Sequence, residues 1–208
     1  MSDHATTTRR SWLGGTLALT ASWLALGLPG AARAAALPRP VVEALRRGSV
    51  VAAFRHAQAP GTFDPPGFRL GECATQRNLS EEGREQARRL GARFREQRLA
   101  PARVRASPWC RCVDTAELAF GADTPARLEI EAWDALASTQ QDRSNAAAQV
   151  EAMRRALAAV APGRFEVWVS HQSTLGQLVG ESTASAEGLL LRAGPDGAPR
   201  VVARLPPP

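Results

Sequence analysis

The sequence predicts an α/β fold: a three-layer sandwich with a mostly parallel central sheet flanked by helices. Three observations lead there. Strand-like and helix-like segments alternate along the chain. Residues 50–54 are continuously apolar up to Arg55, the pattern of a strand covered on both faces. The 208 residues, 44% of them apolar, suit one globular domain, and no repeat or linker divides them.

The elements follow in order. Residues 40–47 read as a short helix closed by Gly48, and residues 49–55 as the first strand. A loop over 57–79 is rich in Pro and Gly, and a loop of that length in a compact domain is usually functional or disordered. Ser80 caps a helix that runs to about Arg98, with Ala87, Leu90, Gly91 and Phe94 on one face. Residues 103–106 form a second strand. Ser107 and Pro108 open the next helix, Ser as cap and Pro at its first position, and Gly121 ends it. A third strand covers 128–131. A helix over 144–160 carries Val150, Met153, Leu157 and Val160 on one stripe. The fourth strand is 165–170, followed by a short helix over 173–180. Residues 188–192 and 200–204 form a closing hairpin joined by the turn Gly194–Pro195–Asp196–Gly197, and three prolines make a frayed end.

The first 36 residues read as an export signal. Arg9 and Arg10 precede an uncharged apolar stretch from Trp12 to Leu28, and small residues for cleavage follow, which places the mature chain in the periplasm or outside the cell. The alternative is an uncleaved anchor. Thr8–Arg9–Arg10–Ser11–Trp12–Leu13 resembles a twin-arginine signal. No later stretch is long enough to span a membrane. The domain expected after cleavage is 37–208. Removing three Arg and one Asp with the signal lowers the formal charge from +6 to +4. That mild excess suits a small anionic partner. The arginines alternate with Glu, as in Arg84–Glu85–Gln86–Ala87–Arg88–Arg89, so they form no basic stripe for nucleic acid. All 26 basic residues are Arg, so position rather than number must argue for an anion site. Of the three cysteines, Cys110 and Cys112 are too close to pair with each other, so Cys73 pairs with one of them if a disulfide forms. Cys-x-Cys with two His does not fill a tetrahedral metal site, and no metal or other cofactor is expected.

Beyond the signal only two histidines remain, His56 and His171, each at the carboxyl end of a predicted strand. Ligands of open α/β sheets bind outside those ends. Arg55 directly precedes His56, and Arg111 lies in the first turns of the helix after the second strand, whose N-terminus itself favours anions. Each placement taken singly has an ordinary structural explanation; three at strand ends together do not.

These pieces resemble the motifs of the histidine phosphatase superfamily, the phosphoglycerate mutase-like fold. Arg55–His56–Ala57 is similar to its Arg-His-Gly motif, with Ala in place of Gly. Ser107–Pro108 with Arg111 and Thr115 matches Ser-Pro-x-x-Arg-x-x-x-Thr, and His171 matches the late histidine. Leu79–Ser80–Glu81–Glu82–Gly83 with Gln86 and Ala87 resembles the family's helix start. The resemblance implies a phosphomonoesterase that needs no metal. His56 would be the nucleophile, forming a phosphohistidine, with its tautomer fixed by a backbone carbonyl. Arg55 and Arg111 would bind phosphoryl oxygens, and His171, if protonated, would add a charged donor. The family's acid has no fixed position, and the candidates are Glu131, Asp134 and Asp64. Gln172 stands where the acid phosphatase and phytase branch has Asp. Arg69, Arg77 and Asn78 would recognise the rest of a small phosphorylated substrate. An exported short chain with Arg-His-Ala resembles the branch containing the lipopolysaccharide core heptose phosphate phosphatases, which implies a phosphosugar or similar substrate. A Cys73–Cys110 disulfide would pin the loop beside the pocket. The competing expectation is a catalytically weak phosphate-binding module on the same fold.

Overall fold

A computed structural model describes residues 36–121, 127–140 and 143–208, together with Met1. The export segment expected over 1–36 lies, apart from Met1 and Ala36, outside the described residues.

The sheet has six strands: β1 (Val50–Arg55), β2 (Arg103–Ala106), β3 (Ile130–Ala132), β4 (Phe165–Ser170), β5 (Gly188–Ala193) and β6 (Pro199–Leu205), in spatial order β3-β2-β4-β1-β5-β6. The first four in that order are parallel, and β5 joins β1 antiparallel. β1 is therefore interior to the sheet, which is why its run is apolar on both faces.

Side-chain alternation sends the two faces of β1 into two cores. Val50, Ala52 and Phe54 pack with Leu90, Phe94, Ala116 and Phe120 under α1 (Arg39–Arg47), α2 (Glu81–Glu96) and α3 (Cys110–Phe120). Val51 and Ala53 pack with Met153, Leu157, Trp168 and Leu175 under α4 (Ala146–Ala158) and α5 (Gln172–Val179). The result is the expected three-layer arrangement. Gly91 lets α2 settle on α3: a Cβ there would collide with the Ala119 backbone.

Three expectations need correction. β3 starts two residues later than the apolar pattern suggested, because it is a short edge strand set by its pairing with Val104–Ala106. α3 begins at Cys110 rather than after Ser107. Its first amide is capped from outside, since the Cys110 N–H donates to Gln76 Oε1 at 3.0 Å. The prolines after Leu205 are not frayed: Arg93, almost fully buried, donates to the carbonyls of Pro206 (2.6 Å) and Pro207 (2.9 Å). The loop after β1 contains a short 3-10 turn, Cys73–Thr75, and is fastened to α3 by a Cys73–Cys110 disulfide with Cα atoms 5.6 Å apart. Among the described residues, no helix is long and apolar enough to cross a membrane.

Candidate active site

The pairing of β1, β4 and β2 continues one residue beyond the strands. The His56 N–H donates to Ser170 O and the Ser107 N–H to Val169 O, both at 2.9 Å. That register brings His56, Ser107 and His171 to one level at the carboxyl end of the sheet. The two imidazole centroids are 5.5 Å apart. A cavity of about 270 Å³ opens above them, lined by Arg55, His56, Gly61, Thr62, Arg77, Arg111, Ser138, Gln140, His171, Gln172 and Ser173. Sequence reasoning had grouped His56, Arg55, Arg111 and His171, and the fold does bring these four together.

His56 Nδ1 is 2.8 Å from the Ala57 carbonyl, which can only accept, so the proton sits on Nδ1 and the Nε2 lone pair is free. The turn that presents it is held from below: the Ala57 N–H donates to Thr115 Oγ1 (3.1 Å), and that hydroxyl donates to Arg111 O (2.6 Å). Burial lowers the His56 pKa to about 3, aided by Arg111, Arg55 and Arg77 and opposed by the bond to Ala57. The ring is neutral across the ordinary pH range, as a nitrogen nucleophile must be.

His171 differs from its expected role as a cation. Burial, then His56 and Arg111, hold its pKa well below the ordinary value. Its Nδ1 is 3.4 Å from Arg111 Nη2, which can only donate, so the ring's proton lies on Nε2 and is given to Ser107 Oγ at 2.8 Å. Ser107, expected as a helix cap, therefore orients His171. Cys112, the remaining thiol, is buried below it, with its pKa raised by burial to about 12.

Three guanidinium groups surround the cavity. Arg55 Nη1 donates to Thr183 O (3.0 Å) and Arg77 Nη1 to Ala59 O (2.6 Å). Arg111 Nη1 pairs with Asp64 (2.9 Å). In each of the three, Nε is buried without a hydrogen-bond partner. A buried N–H left unpaired is costly, so the residues around this cavity carry more donors than the protein itself satisfies.

The acid candidates lie elsewhere. Glu131, on β3, is an exposed partner of Arg105 at 3.3 Å, and Asp134 opens the 3-10 turn Asp134–Leu136; neither lines the cavity. Asp64 is buried behind Arg111 rather than at the mouth. No carboxylate lines the cavity among the described residues. Of the residues expected to recognise substrate, Arg77 reaches the cavity. Arg69 pairs with Glu72 in solvent (2.7 Å), and Asn78 Nδ2 braces its own loop by donating to Cys73 O (2.6 Å) and Gln76 O (3.1 Å). Gly61, Thr62, Ser138, Gln140 and Ser173 were not anticipated. They come from loops and a helix start whose approach to the site is set by tertiary packing, and small polar residues carry no local signal of it. Gly83 was legible only as motif: a Cβ there would strike the Gln58 carbonyl, so the glycine lets α2 press against the segment that follows His56.

Residues 55–142 match the family model of the histidine phosphatase superfamily, branch 1. No curated protein matches the chain significantly in sequence. Among solved structures, the chain is similar to the protein histidine phosphatase SixA complexed with tungstate (19% identity, TM-score 0.52, 76% of this chain and 97% of that one). It is also similar to a mycobacterial glucosyl-3-phosphoglycerate phosphatase complexed with VO3 (16%, 0.52, 73% and 96%). A third similar structure is the alpha-ribazole phosphatase from Shigella flexneri (14%, 0.51, 73% and 94%). At these identities the likeness is one of fold.

Proposed function

We propose that the chain belongs to the histidine phosphatase superfamily, whose branch 1 model matches residues 55–142, and that it hydrolyses phosphomonoesters through a phosphohistidine on His56. The observation that carries this reading is the set of three guanidinium groups lining a cavity floored by a neutral imidazole. His56 Nε2 attacks phosphorus as the ester P–O bond breaks. Because His56 is buried, in-line displacement places the leaving oxygen toward the mouth, among Thr62, Gln140, Gln172 and Ser173. The leaving alkoxide takes a proton from water there. A second water then cleaves the N–P bond, releasing inorganic phosphate and the free imidazole. Arg55, Arg77 and Arg111 offset charge on the equatorial oxygens, the part a metal ion plays elsewhere, so activity should persist in EDTA. The tungstate and VO3 in the similar structures are oxyanions of the kind this cavity would take.

The finer reading is an exported enzyme acting on a small phosphosugar or similar ester. Its supports are the N-terminal sequence, the disulfide, which suits an oxidising compartment, and the resemblance to the heptose phosphate phosphatase branch. A groove continues from the mouth past Gly176, Gly180 and Ser182; its one carboxylate, Glu181, is paired with Arg204 at 2.6 Å, and the rest of its lining is uncharged, which fits such a leaving group.

The test is p-nitrophenyl phosphate with EDTA between about pH 4 and 8, wild type beside His56→Ala, quenched early. Turnover with acid-labile, base-stable phosphate on the protein, both lost in His56→Ala, is expected. Phosphate binding without turnover would instead make the chain a binding module, and turnover surviving in His56→Ala would remove the phosphohistidine.

A further inference from the structure

Asp64 lies midway along the loop after β1, and its side chain is wholly buried. It accepts from Arg111 Nη1 with both oxygens (2.9 and 3.2 Å), from Trp109 Nε1 (3.1 Å) and from the Arg77 backbone N–H (2.9 Å). Burial raises the pKa of such a carboxyl, but the Arg77 amide and Arg111 outweigh it and hold the group below the ordinary value, so it is ionised. It therefore touches two of the three arginine residues of the cavity without itself lining that cavity.

An ordinary buried ion pair accounts for one Arg–Asp contact but not for this placement. With both imidazoles neutral, three guanidinium groups against one carboxylate leave two net positive charges, the complement of a phosphate dianion. Without Asp64 the excess would be three, and inorganic phosphate would be held more tightly than its charge requires. Tight uniform binding of that kind lowers KM without raising kcat and slows product release. The contact also decides how Arg111 faces the ligand. With Nη1 committed to Asp64 and one N–H of Nη2 directed at His171 Nδ1, the second N–H of Nη2 remains for a phosphoryl oxygen.

We propose that Asp64 is a positioning residue: the resident counterion of Arg111, which aims that guanidinium and matches the charge of the empty cavity to a phosphoryl dianion so that product phosphate can leave. The proposal rests on the phosphatase reading of the same site.

The test is Asp64→Asn in the full chain, which keeps the shape and the acceptor oxygen and removes the charge. Three quantities are compared with wild type: the Tm gain on adding millimolar phosphate, inhibition by inorganic phosphate, and kcat and KM for p-nitrophenyl phosphate. The variant is expected to be less stable alone and to regain more from phosphate than wild type does, because the ligand replaces the lost counterion. Its phosphate inhibition constant should tighten about tenfold or more, the scale of one nearby charge at an effective dielectric of about 20, while kcat and KM both fall. A carboxylate that merely braces the fold would lower the active fraction and leave KM and the inhibition constant unmoved; that result overturns the proposal. Should the variant be unfolded without ligand, phosphate must refold it, and failure to do so equally overturns it. If phosphate neither binds nor inhibits wild type, the phosphatase reading itself falls, and this one with it.

Discussion

Cutting the Cys73–Cys110 bond should destabilise the fold and disturb the site together. The appropriate variant is Cys73→Ser with Cys110→Ala: residue 73 is exposed and tolerates a hydroxyl, whereas residue 110 is buried and would strand one. The bond closes a loop of 37 residues in sequence. Chain-entropy closure for that length is roughly 13 cal/mol/K, or about 4 kcal/mol at 25 °C. In a domain of this size that corresponds to a fall in Tm of roughly 8–16 °C. The figure is an upper bound, because the loop is also held by Asp64 on Arg111 and by Gln76 on the first amide of α3. The assay is urea unfolding of oxidised wild type against the variant, with thiols counted in denaturant: one before reduction, from Cys112, and three after. A variant that unfolds within about 1 kcal/mol of wild type, with a single thiol confirmed in the latter, would refute the idea that this bond constrains the unfolded chain. Activity should fall as well, since the loop supplies both Arg77 and the counterion of Arg111.

Other outcomes follow from the same structure. In Gly83→Ala the new methyl meets the Gln58 carbonyl, so the segment behind His56 must move; a loss of about 1–3 kcal/mol in urea unfolding and a lower kcat/KM are expected. Arg55→Lys should cost about 10²-fold or more in kcat/KM, because Lys lacks the planar fork that holds Thr183 O through Nη1 while presenting a separate nitrogen to a phosphoryl oxygen. The acid limb of kcat/KM should follow the phosphate ionisation near about pH 6 rather than an enzyme histidine, since the free His56 titrates only near 3. A limb that tracks an enzyme group near the ordinary histidine value with several substrates would contradict that. Stability carries the matching sign. Between the ordinary histidine pKa and about 3, the unfolded chain binds protons that buried His56 and His171 refuse. Stability is thus complete above that window and declines as pH falls through it, which acid titration of the urea midpoint would show.

The central part of the site was legible because strand ends are legible. Runs such as Val50–Arg55 and Phe165–Ser170 stop where the chemistry starts, and their register aligns His56 with His171 whatever the loops do. The acid candidates Glu131 and Asp134 lie away from the cavity for the converse reason. They also lie at or just past a strand end, but β3 is the outermost strand, and β2 and β4 stand between it and β1. Asp64 and Arg77 sit in a loop whose path is set by a disulfide and a buried ion pair, contacts spanning 37 and 47 residues that no local pattern encodes. Ser107 could be read as a cap or as a partner for a ring, and only the fold reveals that His171 arrives first.

The grip of Arg93 on the final prolines bears on how this protein can be handled. Proline has no amide hydrogen, so a polyproline tail can be held only through its carbonyls, and a buried guanidinium is the natural clasp. Shortening the chain to Leu205 would leave that cation enclosed with nothing to bind on α2, the helix that shares a core with β1. Trimming what looks like a dispensable tail would thus loosen the wall behind His56, and a purification handle belongs where it does not tug on those carbonyls.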